Sequence, residues 1–481
     1  MRMSFSAAVV AAWLWTPLAH AQSTLSSNNL AETRITSAAE PFLKPALKPA
    51  LKPALKPTSE PTSDEATPKL TSKPASLSLA QALARTLQHS PTLQSYPYQL
   101  RLSEAERLQA ALRPNPEVQL SLDNVAGSGD YQGIDQAELT LSLSQVIELG
   151  DKRALRLETV QWQQQLRQQQ FEVLRLDSLA ATTRSYIQQV ELQQLQLHIK
   201  RRIAREQQLL ALATQRAQAS SLGEVDVAKL ELRLTRSQLE LRALQNALQL
   251  GSAQLAAHWA QTPDFQQVEG SLAALPLLPS LAELQTSLQQ TPSMQQFITQ
   301  ARLDDTLLRQ AQAAQNADLT LSTGLRYHAQ GAQQRGDHAF VLSVSMPWHR
   351  DDPSAGTRLA AQTQRELTAL TQQQTERTLQ LVVTQIYLEL EQLRHYSQVL
   401  QRHVIPKSQQ VLALSEQGYQ QGQVDLFGLL SAAQDAHQAE VDLIQAQSRF
   451  HLQLLELERL TGHAMTLSGP VRWSTKDTSY E

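Results

Sequence analysis

A stretch without helix-breaking residues dominates the sequence, because neither proline nor glycine occurs between Gly150 and Gly223. Apolar residues recur along this stretch at a spacing near the 3.5 residues of a coiled-coil seam. At 1.5 Å per residue, a helix over residues 151–219 has a length on the order of 100 Å. A second pattern of the same kind runs from about Ser354 to Gln417. The sequence therefore predicts two long helical rods rather than one compact core.

Beyond residue 75 the chain repeats itself. Three segments of the first half match segments of the second half at a common offset of 201 residues, and a fourth pair matches with the offset reduced by two. The matched pairs, in chain order, are 83–91 with 284–292, 117–121 with 318–322, 141–144 with 342–345, and 223–227 with 422–426. Four matches in the same order indicate an internal duplication. We therefore predict a first repeat over 76–270 and a second repeat over 271–465.

Each repeat contains two segments in which apolar and polar side chains alternate, as they do in half-exposed strands. We predict strands at about 117–124 and 137–145 in the first repeat, and at about 318–327 and 339–346 in the second. Loops rich in glycine, aspartate and glutamine join each pair as a hairpin. The polar faces of the predicted strands carry Gln119, Ser121, Thr140, Ser142, Thr320, Ser322, Ser343 and Ser345.

Shorter helices complete each repeat, and we expect them at 78–113, 225–262, 279–316 and 425–462. Two of them stacked end to end span roughly 110 Å, which matches the length of one long helix. The predicted order in each repeat is therefore helix, strand, strand, long helix, turn and helix. This order places both hairpins at one end of the helices and both turns at the other end.

The four predicted strands cannot close a barrel by themselves, and lipid tolerates no open sheet edge. If the strands span a membrane, several copies of the chain must share one barrel. Two copies supply eight strands, whose lumen is filled by side chains, whereas three copies supply twelve and leave a channel. In such a barrel the serine, threonine and glutamine faces line water and the apolar faces meet lipid.

The N-terminal residues 1–21 have the layout of a secretory signal peptide: Arg2, an apolar run from Ala7 to Trp15, and a small-x-small site before Gln22. Residues 22–75 contain a Leu-Lys-Pro-Ala repeat, and a proline at every fourth position favours an extended, flexible tether. An alternative is that the lysines of this tether reach an anionic cell-wall polymer. We expect residues 466–481 to form a C-terminal tail.

Composition excludes several classes of protein. The chain has no cysteine, so disulfides, cysteine metal sites and a lipidated cysteine are ruled out. The formal net charge of -3 shows no basic excess, which argues against nucleic acid as a partner. The sequence contains no glycine-rich phosphate loop, nucleophile elbow or zinc-protease motif. We therefore predict a protein that is not an enzyme and that requires no cofactor.

The duplication and several short motifs resemble the TolC-like outer-membrane efflux proteins, over essentially all of 76–465. The motifs are Ser90-Pro91 after the first helical pattern, the segment 113–117 (Arg-Pro-Asn-Pro-Glu), and the segment 419–426 at the second turn. The segment 148–153 (Glu-Leu-Gly-Asp-Lys-Arg) is similar to the heavy-metal, CzcC-like branch of that family, which raises metal cations above drugs as cargo.

The resemblance implies a mainly α protein with a small β part. Three copies would form an α-helical tunnel capped by a shared twelve-stranded transmembrane β-barrel. The barrel would lie in the outer membrane, in contact with its lipid, and the tunnel in the periplasm. The partners implied are a periplasmic adaptor protein and an inner-membrane pump, with the RND type expected. In this setting the chain would conduct solutes passively as the exit duct of a tripartite efflux pump.

Two Gly-x-Val-Asp turns mark the far end of the predicted helices. Glycine permits the positive φ that a helix-to-helix turn uses, and an aspartate after it can cap the next helix. We expect the tip surface for adaptor docking at Gly223, Val225, Gly422 and Val424. Asp226 and Asp425 are predicted as helix caps or as a ring of carboxylates at the aperture. Arg216, Glu224 and Asp226 are candidate members of a latch that closes the tunnel.

Histidines are dispersed, and no two of them are spaced as a His-x-x-x-His pair on one helical face. A group of histidines and aspartates surrounds the second hairpin in sequence, where either a transient metal-contacting mouth or simple solvated loop chemistry is conceivable. The members of this group are His328, Asp337, His338, His349, Asp351 and Asp352. We predict no stable metal site.

Two alternatives remain open at the level of sequence. The same duct can serve drugs or type I protein secretion instead of metal cations. A protein of another class, a structural coiled-coil scaffold of the periplasm, explains the long helices but not the four alternating strands.

Overall fold

The computed structural model describes residues 76–134, 136–219, 223–329, 336–348 and 350–462, all within the unit Lys69–Glu481. The predicted signal peptide, the tether and the C-terminal tail lie outside the described residues. The helices are α1 (Leu79–His89), α2 (Pro91–Gln94), α3 (Tyr96–Ala111), α4 (Lys152–Ala219), α5 (Glu224–Ala257), α6 (Leu281–Ser287), α7 (Pro292–Ala313), α8 (Ala355–Val399), α9 (Ile405–Gln421) and α10 (Leu426–Thr461). The strands are β1 (Ser76–Leu77), β2 (Glu117–Asp123), β3 (Glu138–Ile147), β4 (Gln267–Val268), β5 (Leu319–His328) and β6 (Asp337–Ser345).

Helix α4 contains 68 residues without interruption. At 1.5 Å per residue its length is about 100 Å. It begins after Gly150 and Asp151, which both have positive φ and turn the chain out of β3. It packs against helices of both repeats, namely α1, α3, α5, α7 and α10. The first predicted rod is therefore the element around which the other helices assemble.

Proline breaks the shorter helices that the sequence analysis treated as continuous. The helix predicted over 78–113 is divided into α1, α2 and α3, and the helix predicted over 279–316 is divided at Thr291. Ser90 and Thr291 precede prolines and adopt extended backbone, with ψ of 122° and 149°. At Ser90 and Thr291 the cause is the proline ring, which disfavours the α conformation of the residue before it. Both breaks occur at the same point of the duplication.

The second rod also differs from its prediction. It consists of α8, a π-helical turn over Leu400–Val404, and α9, which extends to Gln421. Pro406 lies in the first turn of α9. A proline inside a helix lacks an N–H donor and clashes with the carbonyl four residues earlier, and a π turn relieves that clash. The rod therefore continues past the proline instead of ending there.

The two hairpins form one antiparallel sheet in the order β2-β3-β5-β6. Each strand begins and ends within two residues of its predicted bounds. Strand β3 of the first repeat pairs with β5 of the second repeat over 138–147 and 319–328. The repeats are therefore joined edge to edge at the centre of the sheet, and β2 and β6 form its outer edges.

A two-stranded parallel pair, which the sequence analysis did not predict, connects β1 to β4. Behind it, the Tyr186 hydroxyl of α4 donates to the carbonyl oxygens of Leu77, at 2.9 Å, and Glu269. Burial raises the pKa of the Tyr186 phenol to about 12. Trp259 is 1% exposed in the same apolar cluster. This cluster holds the start of the first repeat against the segment that leads into the second.

Apolar side chains are buried in clusters spaced along the helices. One cluster near the ends of α4 and α9 contains Leu230, Tyr419 and Leu429. Another joins α8 to α10 through Leu390 and Phe450. Stability therefore comes from many local seams, as it does in coiled-coil bundles.

None of the helices within the described ranges combines the length and the apolarity that a membrane crossing requires.

Candidate functional site

One face of the four-stranded sheet is apolar and exposed. Leu120 lies opposite Leu141 in the β2–β3 register, and Leu141 lies opposite Leu325 in the β3–β5 register. On β6 the exposed fractions are 69% for Phe340 and 64% for Leu342. Other exposed members of this face are Val118, Leu122, Leu139, Leu143, Leu321, Tyr327 and Val344. A water-exposed apolar patch continuous over four strands marks an interaction surface.

The opposite face of the sheet is polar, and it holds all eight residues that the sequence analysis assigned to a lumen. Thr140 is buried, Ser121, Ser142, Thr320 and Ser322 are half-buried, and Gln119, Ser343 and Ser345 are exposed. The strand register places them on one face, with Ser121 opposite Thr140, Thr320 opposite Ser345, and Ser322 opposite Ser343. The alternation in the sequence therefore corresponds to two chemically distinct faces.

Charged residues also lie on the polar face, and the sequence analysis did not select them as site residues. The Arg326 Nε donates to Thr140 Oγ1 at 3.1 Å, and the Arg326 guanidinium lies 3.1 Å from the Glu138 carboxylate. Nearby, the hydroxyls of Ser144 and Ser322 form a hydrogen bond of 2.8 Å. The sequence itself indicates that Arg326 lies on the polar face, because Arg326 is separated from Thr320 and Ser322 by an even number of strand positions. These contacts join the two repeats across the β3–β5 seam.

The segment 148–153, which carries the similarity to the CzcC-like branch, joins the base of the sheet to the helices. Lys152 Nζ lies 2.7 Å from Asp318 Oδ1, in the residue before β5. Arg153 Nε donates to the carbonyl oxygen of Ala111 at the end of α3, at 2.8 Å. Glu148 forms an ion pair with Arg156. The geometry thus gives this segment a positioning role between sheet and helices.

The second tip turn closes α9 and starts α10. Gly422 has φ of 76°, and the N–H groups of Gln423 and Val424 donate to the Gly418 carbonyl oxygen at 2.8 and 3.2 Å. Asp425 caps α10, because its carboxylate accepts from the Gly428 N–H at 2.9 Å. The side chain of Val424 lies between Gly418 and Gly428, where it is half-buried.

The first tip turn does not follow the same pattern, so two expectations are corrected. Gly223 has φ of -104°, not a positive value, and it is needed for space instead: a Cβ there would lie 3.0 Å from the Cα of Ala217. Asp226 does not cap α5, because the helix already begins at Glu224. Asp226 lies in the first turn, where a negative charge is favourable to the helix dipole.

Arg216 connects the two tips. Its guanidinium donates to the Tyr419 carbonyl oxygen at 2.6 Å and lies 4.9 Å from the centre of the Tyr419 ring. Burial raises the pKa of the Tyr419 phenol, the Asp226 carboxylate raises it further, and Arg216 opposes both. Of the predicted latch members, Arg216 makes the contact between the repeats. The charge of Asp226 acts on the Tyr419 phenol, and Glu224 is exposed.

Among the described residues of the two tips, Val225 is 64% exposed and Phe427 is 77% exposed. Phe427 was not selected from the sequence, although it directly follows the matched segment 422–426. Val424 was selected but is half-buried. Of the residues that the structure describes at the tips, Val225 and Phe427 therefore present accessible apolar side chains.

The group of histidines and aspartates near the second hairpin is separated in space. His328 lies opposite Asp337, with His338 beside them, at the hairpin end of β5 and β6. Asp351 and Asp352 follow the other end of β6, and nine strand residues span roughly 30 Å. His349 lies outside the described residues. Within the described ranges, no group of three or more His, Asp or Glu side chains is arranged to hold a metal ion.

No family model matches the chain. The chain is 24% identical over 378 residues to the cobalt-zinc-cadmium resistance protein CzcC of Cupriavidus metallidurans, covering 76% of this chain and 85% of that protein. Its fold matches the outer membrane protein VceC from Vibrio cholerae with a TM-score of 0.65 at 18% identity, covering 81% of this chain and 97% of VceC. It matches CusC, whose structures describe transmembrane channel formation, with a TM-score of 0.68 at 12% identity, covering 83% of this chain and 96% of CusC.

These comparisons confirm the predicted resemblance to the TolC-like outer-membrane efflux proteins and to their CzcC-like branch. The similar proteins are outer-membrane channels and a metal-resistance protein, not enzymes. The mainly helical fold with two hairpins is the fold of those channels.

The capping geometry of the tips gives a local prediction. Asp425→Ala removes the acceptor of the Gly428 N–H and should cost about 1 kcal/mol in the first turn of α10, or about fivefold in amide protection. Asp226→Ala is the matched control, because that carboxylate caps no helix, and it should leave the Gly428 amide unchanged. Hydrogen–deuterium exchange of the peptide containing Gly428 measures both variants. Equal loss of protection in the two variants would contradict the assignment of Asp425 as the cap of α10.

Proposed function

We propose that this chain is the outer-membrane exit duct of a tripartite efflux pump and that it conducts solutes passively to the medium. The observation that carries the proposal is the sheet with one exposed apolar face and one polar face, attached to helices about 100 Å long. The outer membrane is the environment in which such a sheet is stable, since lipid covers the apolar face. The helices then lie in the periplasm.

Closure of the sheet requires further copies of the chain. Strands β3 and β5 contain ten residues each, which is the length of a tilted transmembrane strand. The edges β2 and β6 expose backbone groups that lipid cannot satisfy. Pairing of β6 with β2 of the next copy removes both edges, and three copies give a twelve-stranded barrel with a water-filled lumen. The homotrimer is therefore part of the proposal.

The duplication supports assembly from identical copies. Helix α7 of the second repeat packs against both α4 and α8, whereas its counterpart α3 packs mainly against α4. The other side of α3 exposes Tyr98, Leu102 and Leu108 at 68%, 61% and 71%. By the equivalence of the repeats, this open side faces α8 of a second copy, which exposes Leu359 at 66%. The contact of α7 with α4 inside one chain is thus the template for the contact of α3 with α8 between chains.

The tips are the proposed docking end. Val225 and Phe427 offer small apolar contacts, and Gly223 and Gly422 shape the turns that present them. A periplasmic adaptor would bind there and connect the tunnel to an inner-membrane pump of the RND type. Arg216, which is hydrogen-bonded to Tyr419, would latch the tips while the pump is idle, and the charge of Asp226 also acts on the Tyr419 phenol. Asp226 and Asp425 would place carboxylates near the aperture, where they favour cations.

The proposed cargo is heavy-metal cations, on the strength of the similarity to CzcC. The polar face of serine, threonine and glutamine suits passage of a hydrated ion without tight binding. A duct for drugs or for type I protein secretion is the second candidate, since the same conduit can serve several pumps.

A periplasmic coiled-coil scaffold is the candidate from another class. It accounts for the helices but leaves the exposed apolar face of the sheet without a partner. Extraction from the outer membrane only by detergent supports the duct, whereas release by osmotic shock supports the scaffold.

Growth of a deletion strain tests the cargo. We expect sensitivity to zinc, cadmium, cobalt, copper or silver, restored by the plasmid-borne gene, because the pump then lacks its exit. Dyes, detergents and antibiotics serve as controls in the same assay. Sensitivity to organic compounds alone would preserve the duct and overturn the assignment to metals.

Neighbouring residues of β6 test the orientation of the sheet. Leu342→Arg places a charge on the lipid face and should cost about 2–4 kcal/mol near the bilayer midplane. Ser343→Arg, one residue along on the polar face, should be tolerated. The measurement is the amount of oligomer in the outer-membrane fraction. Equal loss in both variants, or loss only in Ser343→Arg, would contradict the proposed faces.

The tip turn gives a test of docking. Gly422→Val should abolish efflux while the oligomer persists, because a β-branched residue is strained by roughly 1–2 kcal/mol or more at a φ of 76°. Gly356→Val is the control, since space around Gly356 in α8 is open. Resistance of the strain and oligomer content are measured together. Full resistance in the Gly422→Val strain would count against the tip as the docking surface.

A further inference from the structure

A buried polar network joins the first long helix to the last helix of the chain. His198 of α4 lies with its Nε2 2.5 Å from Nδ1 of His437 of α10. The other nitrogen of His198, Nδ1, lies 2.7 Å from the Glu440 carboxylate. The other nitrogen of His437, Nε2, lies 2.9 Å from the guanidinium of Arg202. We call these four residues the histidine clamp.

The hydrogen-bond pattern determines the tautomer of each histidine. Arg202 can only donate, so Nε2 of His437 must accept, and the proton of the neutral ring is therefore on Nδ1. That Nδ1–H donates to Nε2 of His198. The remaining proton of His198 is on Nδ1 and donates to Glu440. All three hydrogen bonds form together only when both imidazole rings are neutral. One more proton would leave two N–H donors facing each other, either between the two rings or between His437 and Arg202, and that hydrogen bond would be lost.

The surroundings oppose an additional proton. Arg202 is oriented by Glu206, which accepts from its Nε at 3.0 Å and also from Arg233 of α5 at 2.9 Å. Gln409 of α9 donates to the Glu440 carboxylate at 3.0 Å. Other charged groups that line the site are Arg201 and Arg205 on α4, Glu240 on α5 and Glu416 on α9. The adjacent cavity has a volume of ≈ 40 Å³, which admits water but no larger ligand.

We propose that the histidine clamp is an acid-released contact between the two repeats, which holds α4 against α10 at neutral pH and lets them separate when His437 gains a proton. It lies about 30 Å from the end of α4, the helix that Arg216 connects to Tyr419 of α9 at the tips. Its consequence for opening the tips rests on the proposed function, but the clamp itself does not. An outer-membrane duct faces a periplasm open to small ions, so external acid would reach it.

The direction of the pH effect follows from the burial of His437. Burial, followed by the charge of Arg202, lowers the pKa of His437 to about 4, whereas a released imidazole has about 6.5. The clamp is therefore at full strength above about pH 6.5, and it weakens as the pH falls toward 4. The pKa of Glu440 is lowered to about 2, chiefly by its hydrogen bond from His198, so its charge persists through this range.

Distance measurement between spin labels tests the clamp directly. The chain has no cysteine, so Lys200→Cys on α4 and Asp435→Cys on α10, both at exposed positions, can be labelled selectively. The full-length protein is diluted with unlabelled copies in detergent so that distances within one chain dominate. We expect the distance between the labels to lengthen, and its distribution to broaden, as the pH falls from about 7.5 to 4.5. The midpoint of this transition should lie between the pKa of the buried His437, about 4, and that of a free imidazole, about 6.5.

Replacement by glutamine is the matched control. His198→Gln with His437→Gln keeps one donor and one acceptor at each position but cannot titrate, and it should show no acid transition. Glu440→Gln still accepts from His198 but lacks the charge that attracts a proton, so the transition should move to lower pH; this variant keeps the test valid if the glutamine pair fails to fold.

Two results would overturn the proposal. One is an unchanged distance in the labelled parent protein across the pH range, and the other is the parent's transition in the glutamine pair. Both readouts are independent of efflux, so loss of the proposed transport function would leave them interpretable.

Discussion

The packing of α4 is the constraint on which the other parts of the structure depend. A helix of 68 residues has no stable core of its own, and it is held by seams with α3 and α5 of its own repeat and with α7 and α10 of the other. Because α4 starts directly after β3, its position also sets the position of the sheet. The junction is fixed by Lys152 with Asp318 and by Arg153 with the end of α3. Polar contacts therefore fix the orientation of the sheet relative to the helices at their junction.

The sheet reverses the usual arrangement of a soluble protein, because its apolar face is exposed and its polar face is partly covered. Such a surface is stable only when something apolar covers it, and the open edges β2 and β6 demand pairing as well. The internal duplication provides surfaces that can cover these exposed parts. Each repeat presents the surface that the other repeat already recognises within the chain, as the β3–β5 seam and the α4–α7 contact show. In the proposed assembly, identical copies would extend contacts that a single copy already contains.

Contacts between the repeats near the tips combine apolar packing with hydrogen bonds. Arg216 on Tyr419 and His198 on His437 are hydrogen-bonded connections between helices of different repeats. Hydrogen bonds between charged or titratable groups respond to water, protons and bound partners, whereas the apolar packing of Leu230 against Leu429 does not.

The sequence by itself determined the elements whose cause is local: the long helices, the alternating strands to within two residues, the duplication, and the cap at Asp425. Side-chain period and the absence of helix breakers are properties of neighbouring residues, so they are visible without a fold. Tertiary structure decided what depends on distant residues. Val424 is half-buried between two glycines, Gly223 is required for space rather than for φ, and His198 meets His437 across 239 positions of the chain. No local pattern encodes such contacts, because they exist only once the packing of α4 has brought the two repeats together.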